Sequence, residues 1–179
     1  MSGVNASFAK LLEYEQRASG EASANASQGA QGDWAGLTFR LGGNRLVCSV
    51  ERIHESLPLP QVTRVPGTKP FILGLANVRG DLLTVVDFGC FLSGRRSPVS
   101  MRSRLLSASL RGRPVGLLVD EVFGQKNFMG GEATSPELGS DSELEGLVNR
   151  RHRSGNDEWH ELDLDALFSR PDFLDGAAA

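Results

Sequence analysis

The sequence predicts a mainly all-β protein made of two related small antiparallel barrels, and three observations carry that expectation. From Ile72 to Asp87, two apolar β-prone runs flank the polar turn Asn77-Val78-Arg79-Gly80-Asp81, which marks a buried hairpin with a charged tip. Between Leu37 and Val50, apolar residues return on both sides of Gly42-Gly43-Asn44, the pattern of another hairpin. The stretch from Phe39 to Ile53 aligns without gaps on the stretch from Ala108 to Val122, at an offset of 69 residues. Both read strand, glycine turn, strand, then Val-acid-x-(Ile or Val). Two independent hairpins obeying the same turn chemistry would give the same match. Read as a duplication, it yields two barrels, each too small to be very stable alone.

Taken in order, the chain opens on a separate region. Phe8, Leu11 and Leu12 stand at helical spacing behind Ser7, an N-cap residue, so a short amphipathic helix is expected there. Ala18 to Gly32 holds mostly Ala, Ser, Gly, Gln and Asn, too little apolar surface to order itself, and is expected to be a flexible tether. Residues 1–33 are thus set apart from a β domain over 34–170 and a tail over 171–179. Beyond Ile53, the prolines 58, 60, 66 and 70 make the connection more loop than element. The charged-tip hairpin follows, then Phe88 to Leu92 and a polar turn from Gly94 to Ser97. A second β passage starts near Met101. Gly124 to Glu145 is mostly polar and broken by Gly130, Gly131 and Pro136. Leu144 to Val148 and Trp159 to Leu164 read as short strands around a charged loop, Asn149 to Asp157. A helix capped by Asp163 and interrupted at Pro171 closes the chain.

With 40% hydrophobic and 23% charged residues, the composition is that of an ordinary globular protein. A net charge of -3 supplies no general basic field, which disfavours non-specific nucleic-acid binding. No run approaches the roughly 18 apolar residues of a membrane span, and no signal peptide is visible, so direct membrane insertion is not expected and the chain reads as cytoplasmic. Cys48 and Cys90 lie in apolar contexts and match no metal or redox spacing.

No catalytic or cofactor motif is found: there is no nucleophile elbow, no Walker loop and no dinucleotide fingerprint. His54-Glu55 begins like a zinc motif, but Pro58 blocks the helix and the second histidine is missing. His152 and His160 fall in or beside the charged loop with Arg150, Arg151 and Arg153, a solvated face by its composition. Asp163 and Asp165 sit at a helix start, where negative charge offsets the macrodipole. An interaction protein is the class that remains. Arg79 then has two open readings, a salt bridge to Asp81 or Asp87 within the sheet, or contact with a partner.

The blocks Gly74-x-x-Asn77-x-Arg79-Gly80 followed by Val85-Val86-Asp87, Gln61-Val62-Thr63-Arg64, Pro70-Phe71-Ile72 and Gly116-Leu117-Leu118-Val119-Asp120-Glu121-Val122 resemble the CheW family of chemotaxis coupling proteins, in the same order. Trp34-Ala-Gly-Leu-Thr-Phe-Arg40 and Val119-Asp-Glu-Val-Phe-Gly124 are similar to the branch that serves type IV pili and twitching motility. Thr84, where the family often has proline, and a longer Arg150 to Asn156 segment depart from the pattern.

The resemblance implies two SH3-like five-stranded β-barrels sharing a hydrophobic core, with short terminal helices, and a scaffold without catalytic residues, metal or cofactor. It implies an adaptor between the cytoplasmic tip of a methyl-accepting chemotaxis receptor and the regulatory domain of a CheA-like histidine kinase, in membrane-bound receptor arrays. Ile53, Glu55, Gly74, Asn77 and Arg79 would face the receptor, and Gly116, Val119, Asp120 and Val122 the kinase. A flagellar chemotaxis adaptor and a small-barrel nucleic-acid-binding module are the alternatives.

Overall fold

The computed structural model describes residues 34–129, 133–136 and 142–177. The expected helix and tether over 1–33 lie outside the described residues. The described residues form ten strands: β1 (Trp34–Leu41), β2 (Asn44–Ser49), β3 (Glu55–Pro58), β4 (Ile72–Val78), β5 (Asp81–Asp87), β6 (Arg104–Leu110), β7 (Arg113–Val119), β8 (Glu121–Phe128), β9 (Val148–Ser154) and β10 (Asp157–Leu162). A 3-10 turn (Val50–Arg52) and three short helices, α1 (Phe88–Ser93), α2 (Leu164–Ser169) and α3 (Pro171–Ala177), complete them.

The two closed barrels expected from the sequence are not formed. The strands make two five-stranded mixed sheets, ordered β8-β1-β2-β10-β9 and β3-β6-β7-β5-β4, and neither order returns on itself. Each includes one parallel pair, β10 with β2 and β5 with β7, so the sheets are not purely antiparallel either. The prolines explain the open edge of the second sheet. β3 ends at Pro58, which has no N–H to donate, and the proline-rich segment after it meets β4 only at the Thr63–Leu75 bridge. In the first sheet, Thr134–Arg151 is the corresponding isolated bridge among the described residues.

The repeat is real in structure and exchanged between sheets. Arg40 faces Arg45 in the first hairpin as Ser109 faces Pro114 in the second, the same register 69 residues on. Glu55 pairs with Ser107 as Gly124 pairs with Thr38, again at 69. Thr84 lies beside Val115 as His160 lies beside Leu46, now with a shift of 76 on β5 and β10. Each sheet therefore takes its β1–β2 type hairpin from one half and its three following strands from the other. Neither half can fold as a unit, because its outer strands have their partners in the other half.

One buried cluster joins the sheets: Phe39, Leu46 and Cys48 from the first meet Val86, Leu106 and Leu117 from the second, with Phe88, Leu167 and Phe173 from the three helices. Burial pushes the Cys48 thiol up to about 12, as expected of a cysteine used as a core hydrophobe. Two smaller clusters fill the far faces: Ala76, Leu83, Val85, Leu105 and Leu118 on the second sheet, and Val47, Phe128 and Trp159 on the first. Gly116 permits the packing on the second sheet, since a Cβ there would stand 2.7 Å from the Leu105 side chain.

The Asn149 to Asp157 stretch is a strand and turn rather than a charged loop. In β9 Val148 and His152 are buried, Arg150 and Arg153 exposed and Arg151 half-buried, and the register shift between Glu161 and Leu162 breaks a strict alternation, so the sequence shows no two-residue period there. His152 is buried, Nε2 2.6 Å from Glu161, its ring against Trp34 and Phe128.

Asp163 caps α2 as the sequence indicates: its Oδ1 accepts from the N–H groups of Asp165 and Ala166, and Oδ2 from Asn149. Asp87 is its counterpart before α1, taking Cys90 N–H at 2.9 Å and Ser97 N–H at 3.0 Å. Burial alone would raise the Asp163 pKa, but the bonds from Ala166, Asn149 and Asp165, with the charge of Arg52, outweigh it and hold the carboxyl below its usual range. Its stabilisation is thus fully present above the unfolded-chain value of about 3.9 and disappears as pH falls through the lower native one. Asp163→Ala should cost about 1 kcal/mol at pH 7 and less near pH 3, read from urea midpoints at the two pH values.

Candidate functional site

The hairpin β4–β5 reverses through Arg79 and Gly80, with φ of 55° and 98°. Two successive positive φ values match the twist of the flanking strands, and an arginine held in that region is uncommon. The Asn77 carboxamide oxygen stabilises the turn by accepting from Gly80 N–H at 3.0 Å. Arg79 is thereby displayed, its side chain 80% exposed, and its Nη2 lies 2.9 Å from Glu55 Oε2. The partner is neither Asp81 nor Asp87, the two carboxylates expected from the sequence. Asp87 is buried and occupied at the α1 cap.

This ion pair joins opposite edges of one sheet. Glu55 opens edge strand β3, and Arg79 follows the last residue of edge strand β4. Across a flat five-stranded sheet those edges would stand about 19 Å apart, so the sheet is strongly curled even though it is not closed. Below the pair lies a hollow of about 370 Å³, bordered by His54, Glu55, Val78, Asp81, Leu83 and Pro114 among others.

The other sequence-predicted receptor residues are spread along this part of the molecule with different exposures. Ile53 ends the 3-10 turn, half-buried against the common core, and Asn77 is exposed. Gly74 is buried at a bulge in β4 with φ of 141°, and a Cβ there would lie 2.1 Å from the carbonyl oxygen of Thr63. Its glycine identity follows from that close approach.

The second predicted set is split. Gly116 and Val119 are buried, so any partner contact attributed to them has to be transmitted through neighbours. Asp120 and Val122 reach the surface in part. Asp120 Oδ2 accepts Gly42 N–H at 2.7 Å and lies 3.8 Å from Arg40, holding the β1–β2 turn against the start of β8. Between that turn and the segment after α1, a separate depression of about 580 Å³ is lined by Arg40, Arg95, Arg96, Asp120 and Glu143. No group of three or more metal-ligating side chains occurs among the described residues, and no described helix is long and apolar enough to cross a membrane.

Two five-stranded mixed sheets that exchange strands over one core are the architecture of the CheW-like class. The CheW-like domain model matches residues 35–172, and the chain belongs to that family. It is a non-catalytic adaptor that links chemoreceptors to a CheA-like kinase. Among its relatives, protein PilI of Pseudomonas aeruginosa is 38% identical over 129 residues, 72% of each chain. Protein FrzA of Myxococcus xanthus is 32% identical over 120 residues, covering 67% of this chain and 75% of FrzA. The crystal structure of the scaffolding protein TtCheW from Thermoanaerobacter tengcongensis shares the fold, with a TM-score of 0.67 at 21% identity over 78% of this chain and 94% of that one.

Proposed function

We propose that the latched end of the second sheet receives the cytoplasmic tip of a chemoreceptor, with Arg79 and Glu55 as the coupling pair and Ile53, Gly74 and Asn77 shaping their surroundings. The observation that carries this reading is an asymmetry inside the molecule. By strand register, the positions of Glu55 and Arg79 correspond in the first sheet to Gly124 and Gly155, where no ion pair can form. The first sheet takes the same strand order without a latch, so the fold does not require one. A charged pair retained at a single end of a duplicated architecture, its arginine 80% exposed above a half-buried glutamate, fits a recognition role, because an arginine so solvated adds little to stability.

The kinase contact is assigned to the other predicted set, Asp120 and Val122 at the surface with Gly116 and Val119 supporting them, toward the regulatory domain of the kinase. The similarity to PilI supports an output through type IV pili and twitching motility, and an adaptor of this kind works in the cytoplasm beside membrane-bound receptor arrays. Pull-down of the full chain with a receptor-tip fragment and with the kinase regulatory domain tests the pairing. Arg79→Glu should reduce receptor binding tenfold or more, about 1.4 kcal/mol or above, and leave the circular dichroism spectrum and Tm unchanged. Unfolding of that variant would instead make the pair a structural tie.

A further inference from the structure

The two halves differ at a second place, and that difference points to a ligand. In the first sheet Arg45 projects from β2, pairs with Asp157 and holds its guanidinium 5.6 Å from the Trp159 ring centroid. Phe123 adds an edge-on contact to the same ring at 5.6 Å. That end of the sheet is filled by the protein's own side chains. The register assigns the equivalents in the second sheet: Pro114 for Arg45, Asp81 for Asp157 and Leu83 for Trp159.

All three equivalents line the 370 Å³ hollow beneath the Glu55–Arg79 pair. The carboxylate and an apolar floor are kept, while both cations over Trp159 in the first sheet, Arg45 and Lys126 at 4.9 Å, are replaced, by Pro114 and Leu57. Asp81 is exposed, and its carboxylate makes no hydrogen bond or ion pair among the described residues. The arrangement is a filled socket in one half and the same socket left open in the other.

We infer that the open socket takes an arginine or lysine side chain from the bound partner, its cationic head on Asp81 and its stem on Leu83 and Val78, in the manner of Arg45 in the first sheet. Charge favours this occupant: Glu55 and Asp81 both face the hollow, and Arg79 neutralises only the former. Salt bridges to a partner's cation give direction as well as energy, and the apolar stem of a long basic side chain suits a floor made of aliphatic groups. The inference rests on the receptor-tip reading, which it deepens by naming what the tip presents.

The test measures binding of a purified receptor-tip fragment by the full-length chain. Asp81→Asn should weaken binding about tenfold, an effect of the size expected for one charge-assisted contact. Pro114→Arg copies the first-sheet plug and should weaken it at least as much by filling the socket from within. Both should leave Tm unchanged, and if Pro114→Arg lowers it, Asp81→Asn alone decides. Loss of binding in Arg79→Glu together with full binding in Asp81→Asn would overturn the socket and leave the receptor reading standing. Failure of the unaltered chain to bind the tip would overturn both.

Discussion

Phe173→Ala should destabilise the protein by about 3–5 kcal/mol, the largest loss expected from any single truncation near the C-terminus. Phe173 is fully buried, 5.0 Å from the Phe91 ring centroid, 5.8 Å from that of Phe168 and 6.3 Å from that of Phe71. It therefore ties α3 to α1, to α2 and to the segment entering β4. Removing the ring leaves a cavity among three aromatic neighbours that cannot all close in on it, because Phe71 also packs against Gly176, where a Cβ would stand 2.3 Å from its ring. Urea unfolding should show a reduced midpoint with an unchanged slope, the signature of lost stability without a new denatured state. Retention of wild-type stability would mean that α3 is peripheral and that the common core ends at α2.

Gly74→Ala should cost about 3 kcal/mol or more, although it adds one methyl group. Two effects combine. The backbone at φ of 141° disfavours any side chain, and the added carbon meets a main-chain oxygen, which cannot rotate away as a flexible side chain could. Relief requires the proline-rich segment to lift from β4, which breaks both Thr63–Leu75 hydrogen bonds of 2.8 Å. Hydrogen exchange should show the N–H groups of Thr63 and Leu75 losing protection before the rest of the sheet. The same variant should impair receptor coupling indirectly, through a displaced β4 beneath Arg79.

Much of this architecture was legible because it is written locally. The Ile72 to Asp87 hairpin, the Asp163 cap and the repeat each depend on residues close in sequence whose turn chemistry and alternation admit few alternatives. Closure of the sheets is not local. Whether β3 meets β4 depends on thirteen intervening residues, 59–71, with three prolines among them, and the hairpin patterns carry no information about that edge. The exchange of strands between halves escapes for the same reason, since a gapless repeat looks identical whether its halves fold apart or interlace.

At the site, the hairpin tip displaying Arg79 was visible and its ion-pair partner was not. Asp81 and Asp87 are nearer in sequence, but Asp87 is consumed by the α1 cap and the sheet curl brings Glu55 from the opposite edge. The open socket was also missed. Its signal was present in the repeat, where Arg45 aligns with Pro114, but an exchange of that kind acquires meaning only when Asp157 and Trp159 are found packed on the arginine. β9 was hidden by its arginines, whose charge outweighs the buried positions of Val148 and His152 in any composition-based reading.

We propose that Glu55 and Arg79 serve recognition and not folding. Calorimetric titration of the full-length chain with the receptor-tip fragment, run beside thermal unfolding of the same samples, tests it most directly for Arg79→Glu and for the charge-swapped pair Glu55→Arg with Arg79→Glu. Both variants should melt with the unaltered chain, while Arg79→Glu loses tip binding tenfold or more and the swapped pair fails to recover it, because the tip reads the orientation of the charges. Full recovery of binding and of Tm by the swapped pair, after a loss of both in Arg79→Glu, would show the pair to be a structural latch with no part in recognition.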